Sequence, residues 1–188
     1  NGDGTYSATY TSATTLGTAT ISATIDGASV DDIAIISLVP GAPAGTRSSM
    51  TVNDGSLLAN GNTATQVTVN LADSAGNRIS NGGDTVTLSS NLGSIGPVTD
   101  HGDGSYSAIL TSSITVGTAT ISGSVNGQVI TNQASVLFIA LPASVDNTII
   151  SATPTTIIAN GSATSTIMVQ AIDALGQDIT TGGRTVLL

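Results

Sequence analysis

The side chains best placed for chemistry in this chain are carboxylates in glycine-rich turns. Asp100 and Asp103 flank His101 and Gly102, and Asp3 holds the corresponding place between Gly2 and Gly4. Clustered carboxylates are the ordinary ligands of calcium, which takes about six to eight oxygens. The Asp-x-[Asp/Asn]-x-[Asp/Asn]-Gly order of a calcium loop is missing, and position 101 is matched by Asn1 in the other turn. Asp-Gly is also a turn pair in its own right. Asp100, Asp103 and Asp3 are therefore read as turn residues, with calcium as their weaker alternative. Asp31 and Asp32 could join Asp54, yet their counterparts are Thr131 and Asn132, and a metal site belonging to a repeat should recur. His101 has no repeated partner and no serine or aspartate at triad spacing, so a solvated side chain is expected. These residues point to no catalytic group, no cofactor and no enzyme.

Composition narrows the function further. All three basic residues are arginine, all twelve acidic ones are aspartate, and the net charge is −9. Three arginines cannot neutralise a run of phosphates or hold an anionic lipid surface, which disfavours nucleic acid and polybasic membrane contact. Without cysteine there is no disulfide or thiolate site, and without lysine there is no Schiff base or lysine isopeptide. Neither an apolar run of membrane-spanning length nor a leader pattern at Asn1 is found, so no direct membrane insertion is expected of this segment. Thr, Ser, Val, Ile and Gly dominate while the strong helix formers are scarce, which predicts an all-β chain.

The elements that position these turns come from a repeat. Gly2-Asp3-Gly4 with Tyr6-Ser7-Ala8 returns as Gly102-Asp103-Gly104 with Tyr106-Ser107-Ala108, and residues 17–22 return as 117–122. Ala59-Asn60-Gly61, Asp73, Gly76, Ile79 and Gly82-Gly83 return at 159–161, 173, 176, 179 and 182–183. Pro- and Ala-rich junctions near residues 40–45 and 140–144 divide the chain into the back part of a repeat (1–43), a complete unit (44–142) and the front part of another (143–188). Alternation in the complete unit points Val67, Val69 and Leu71 inward, followed by Val86 and Leu88, then Tyr106, Ala108 and Leu110. Ala119, Ile121 and Val125, and Ala134, Val136 and Phe138, continue the pattern. Tyr6, Tyr10, Tyr106 and Phe138, the aromatic residues, all alternate inward and are expected in cores. Asn126-Gly127 and Asp26-Gly27 predict two-residue hairpins. Asp73 with Gly76, and Asp173 with Gly176, predict Asx turns whose carboxylates cap backbone N–H groups. About seven short strands in about a hundred residues predict an immunoglobulin-like sandwich.

The order Ala59-Asn60-Gly61, Val67-x-Val69, Asp73-x-x-Gly76-Asn77, Gly82-Gly83-x-Thr85-Val86 resembles the bacterial Ig-like domains, group 1, of the invasin and intimin adhesins. Gly102-Asp103-Gly104-x-Tyr106-x-Ala108 and Gly117-Thr118-Ala119-Thr120-Ile121 are similar to the second half of those repeats. The resemblance covers the whole chain and implies tandem Ig-like sandwiches forming a non-catalytic stalk or fibre on a bacterial surface or in a secreted array, with neighbouring repeats as partners. Two alternatives stand beside the stalk. In one, residues 143–188 of one molecule and 1–43 of another complete a split domain, giving head-to-tail filaments. In the other, exposed loops bind a host protein or glycan.

Overall fold

The computed structural model of the chain describes residues 2–180, 182 and 184–188. Its first region holds β1 (Gly17–Ile21), β2 (Thr24–Ile25), β3 (Ala28–Ser29) and β4 (Ala34–Leu38). The central region holds β5 (Ser49–Val52), β6 (Ser56–Leu58), β7 (Ala64–Asn70), β8 (Val86–Ser90), β9 (Ser94–Ile95), β10 (Thr99–Asp100), β11 (Ser105–Thr111), β12 (Gly117–Val125) and β13 (Gln128–Ile139). The last region holds β14 (Ile149–Thr153) and β15 (Thr166–Gln170). Every regular element among the described residues is a strand, as the composition requires.

Two sheets face each other in the centre. One runs β10-β11-β7-β5 with β9 also paired to β11, and the other runs β6-β13-β12-β8. All pairings are antiparallel except β6 with β13, which is parallel. Period-two alternation places Val67, Val69, Tyr106, Ala108 and Leu110 on the inner face of the first sheet. Ala119, Ile121, Val125, Val136 and Phe138 line the second, and all ten are buried. This is the Ig-like sandwich that the strand spacing and the resemblance predict. Its short strands β9 and β10, two residues each, carry too little alternation to be read from sequence.

The pairing of β12 with β13 is irregular between Ile121 and Gly123, where β13 carries the extra residues; position 123 is glycine, so Val125 supplies the next large inward side chain. Gly123 sits against Leu88 Cδ2 and the Thr87 carbonyl, leaving no room for a Cβ. The tight hairpin between β12 and β13 has Asn126 at φ 48° and Gly127 at φ 80°, and Asp26 and Gly27 have 51° and 83°.

The aromatic residues divide. Tyr106 and Phe138 are buried, whereas Tyr6 is 92% exposed and Tyr10 42% exposed, so the expectation of core positions fails for both. The reason is physical rather than local. Tyr106 lies on β11 beside β7, opposite Val69, beneath a facing sheet, and the described residues around Tyr6 include no strand in the place of β7. Replacing Phe138 with alanine is expected to cost about 3–5 kcal/mol in urea unfolding, while Ile109→Ala, on the exposed face of β11, stays within about 1 kcal/mol.

Candidate functional site at the repeat junctions

The buried carboxylates of the chain sit where one repeat passes to the next. Asp73 follows β7 and is 5% exposed, and Asp173 follows β15 and is fully buried. Asp73 Oδ1 accepts from the backbone N–H of Ala75 and of Asn77, both at 2.9 Å. Its Oδ2 accepts from the backbone N–H of Gly41 at 2.9 Å and from Asn77 Nδ2 at 3.0 Å. One oxygen therefore closes the local turn while the other holds the junction segment. Asp173 repeats the arrangement: Oδ1 accepts from Leu175 and Gln177 N–H at 2.9 Å, and Oδ2 faces Leu141 N–H at 3.4 Å.

Backbone pairing reinforces both junctions. Bridges join Pro43 to Asp73 and Ala143 to Asp173, and Ala44 and Ser144 donate to the carbonyls of Ala72 and Ile172, each at 2.8 Å. At the first junction Asn77 Nδ2 also donates to the Thr14 carbonyl at 2.9 Å, so the turn touches both the linker and the preceding region. The Asn77 amide and then the Gly41 N–H pull the Asp73 pKa down to about 2. Gly45 lies against the Val129 carbonyl, where a Cβ would overlap it.

The other sequence-selected residues do not join this site. Asp100 accepts from Gly83 N–H at 2.7 Å and Gly102 N–H at 2.8 Å, with the Gly102 bond the larger cause of its lowered pKa. Asp103 accepts from Ser105 Oγ and Ser105 N–H, which lower its pKa, and meets Arg78 at 3.2 Å. That ion pair is more than half exposed on both sides, so solvent screens it and it adds little to stability. Asp3 binds Thr5 in the same way as Asp103 binds Ser105. Among the described residues no three His, Asp, Glu or Cys side chains converge as metal ligands. Asp54 bonds Thr65 Oγ1 rather than Asp31 or Asp32. His101 is exposed, but its Nε2 lies 2.8 Å from Ser107 Oγ, so it is tethered and not simply solvated. The strand β11 register puts Ser107 beside it, a contact that triad spacing does not anticipate.

The family model for invasin, domain 3, matches residues 44–141, more than half of the chain. The chain belongs to this family. Among solved structures, invasin, described as a bacterial integrin-binding protein, is 28% identical with a TM-score of 0.66, covering 88% of this chain and 34% of its own. The Escherichia coli adhesin FdeC is 27% identical with a TM-score of 0.56, covering 89% of this chain and 54% of that one. The Yersinia pseudotuberculosis adhesin InvE is 27% identical with a TM-score of 0.52, covering 70% and 36%. The chain thus spans less than two thirds of each. These relatives bear out the reading as invasin-type bacterial Ig-like domains of the adhesin class.

In this invasin-family chain the residues whose bonding roles sequence reasoning did not assign are Gly41, Asn77 and Asn60, the last two noted there only as motif positions. Gly41 contributes only its N–H, for which no side-chain signal exists. Asn60 Oδ1 accepts from Asn62 and Thr63 N–H and reaches Ser112 Oγ, and Asn160 repeats its local turn. That recurrence was the available signal.

Asp73 ionises below its ordinary value of 3.8, so its contribution is complete above about pH 4 and is lost as pH falls toward 2. Asp73→Asn places an N–H donor where Oδ2 now accepts from Gly41 or Asn77. Hydrogen exchange of the Gly41 amide is expected to quicken roughly tenfold, and the acid limb of the stability profile to become shallower.

Proposed function

We propose that this chain is a segment of a bacterial surface stalk, in which the sandwiches carry load and the junctions set the angle between them. The observation that carries this reading is the stitching of each linker to the unit that follows it, through Asp73 and Asp173 and the adjoining backbone bonds. A linker held at several points within a few residues behaves as a stiff joint rather than a swivel. The adhesin relatives support an extracellular, non-enzymatic role. No helix among the described residues is long and apolar enough to cross a membrane.

The central sandwich suits tension. Its early strand β6 runs parallel to its last strand β13, with Leu137 N–H donating to the Gly55 carbonyl at 2.9 Å and Ala59 N–H to the Ile139 carbonyl at 2.8 Å. Pulling the chain from both ends slides these two strands past one another, so their bonds resist together instead of opening one at a time. In this reading neither metal nor cofactor contributes, because the Asp100 and Asp103 carboxylates are engaged by turn donors.

In single-molecule pulling of the full chain, the central unit is expected to unfold in one cooperative step, at a force that drops in Ala59→Pro, where the donor to Ile139 is removed. Gradual extension without a step would count against a load-bearing role. Adding chelator is expected to leave the melting temperature unchanged, and a clear fall would restore calcium to Asp100 and Asp103.

A further inference from the structure

Asparagine followed by glycine is prone to lose its side-chain amide, because the glycine nitrogen, with no side chain beside it, can attack the asparagine Cγ. Beyond residue 1 the chain holds four such pairs, Asn60-Gly61, Asn81-Gly82, Asn126-Gly127 and Asn160-Gly161. The reaction needs the asparagine side chain to swing until Cγ meets the following nitrogen, so hydrogen bonds that fix the amide elsewhere must open first.

Three of the four are fastened. Asn60 Oδ1 accepts from the N–H groups of Asn62 and Thr63 at 2.9 and 2.8 Å, and Asn160 Oδ1 from those of Ser162 and Ala163 at 3.0 and 2.9 Å. Asn126 is held at both ends of its amide: Oδ1 accepts from Thr85 N–H at 2.9 Å, and Nδ2 donates to Asp84 Oδ1 at 2.8 Å. Asn81 differs. It is exposed in the loop between β7 and β8, and its Oδ1 accepts from no donor among the described residues. Its one side-chain bond, from Nδ2 to the Gly82 carbonyl at 3.2 Å, lays the amide alongside Gly82, the residue whose nitrogen attacks.

We propose that Asn81 is a self-modification site of this chain. The Gly82 nitrogen forms a bond to Asn81 Cγ, its proton passes through solvent to the side-chain nitrogen, and that nitrogen leaves as ammonia. One water then opens the cyclic imide at either carbonyl, giving aspartate or isoaspartate at position 81. Water is the only co-reactant.

The chain just after the site is fixed. Gly82 is packed so closely on the Asp100 carboxylate that a Cβ would overlap it. Gly83 N–H donates to Asp100 Oδ2 at 2.7 Å, and Asp84 N–H donates to Tyr106 Oη at 3.0 Å. Isoaspartate adds a methylene to the main chain immediately before this fastened stretch, and either product adds a negative charge to a loop that ends at Asp84 and rests on Asp100. The modification therefore loosens the hold of Asp100 on the loop. Position 181 is threonine, so the site belongs to the central unit and not to the repeat.

Mass-spectrometric peptide mapping of the full chain tests this, after warm incubation at mildly alkaline pH in the folded state and in guanidinium. Unfolded, the four sites are expected to convert at similar rates. Folded, Asn81 is expected to stay within about threefold of its unfolded rate, while Asn60, Asn126 and Asn160 slow by about tenfold or more. The mass change separates amide loss from isomerisation of Asp-Gly pairs, which leaves mass unaltered. Asn81→Gln is expected to remove the fast product and leave the other three rates as they were. Hydrogen exchange of the Gly83 amide is expected to quicken in converted chains. Folded protein in which Asn81 converts no faster than Asn126, or in which all four sites keep their unfolded rates, overturns the proposal. Unchanged exchange at Gly83 overturns the consequence drawn for the loop.

Discussion

A β-ribbon cannot bury its own apolar face, and this constraint governs the whole chain. In the centre, β5, β7 and β11 on one side and β8, β12 and β13 on the other cover each other. The inward side chains are mostly Val, Ile, Leu and Ala, with Tyr106 and Phe138 the only aromatic residues in the layer. With so few large side chains, the core depends on close approach of the sheets. Gly123 shows how close: its missing Cβ is the space that Leu88 and Met50 occupy.

The same economy of bulk appears in the polar groups. Charged side chains are few, and the aspartates with depressed pKa values are held mainly by backbone N–H, hydroxyl or amide donors rather than by cations. Such bonds are short-range and little affected by salt, in contrast to the exposed Arg78–Asp103 pair. At Asp73 this gives one carboxylate two tasks, closing its own turn with Oδ1 and gripping the linker with Oδ2. The connection between repeats is therefore part of the folded unit and not an addition to it. Asn77 extends it at the first junction only, since Gln177 in the corresponding place makes no such side-chain bond among the described residues. The two junctions are built on one plan with different numbers of fastenings.

Turn chemistry and alternation were legible in the residues themselves. The inward set of β7 and the positive φ of Asn126-Gly127 depend on neighbours within a few positions, and both are written in residue type. The capping role of the Asp73 Oδ1 oxygen belongs to the same local class. The family also follows from such residues, because its motifs are turn and core positions.

Three features were decided only in three dimensions. Tyr6 and Tyr106 stand in matching sequence, Gly-Asp-Gly-x-Tyr-Ser-Ala, yet one is 92% exposed and the other 1%, because burial is a property of what lies opposite and not of the strand itself. The hold of Asp73 on Gly41 spans 32 residues and uses a backbone N–H that any amino acid but proline would supply. The contact of His101 with Ser107 arises from the path of the chain around the turn into β11. The sequence by itself determined the strands, the turns and the family, since these rest on local sterics and periodicity. Only the tertiary structure decided which faces are covered and where the junctions are fastened, since those depend on long-range pairing that leaves little mark on residue type.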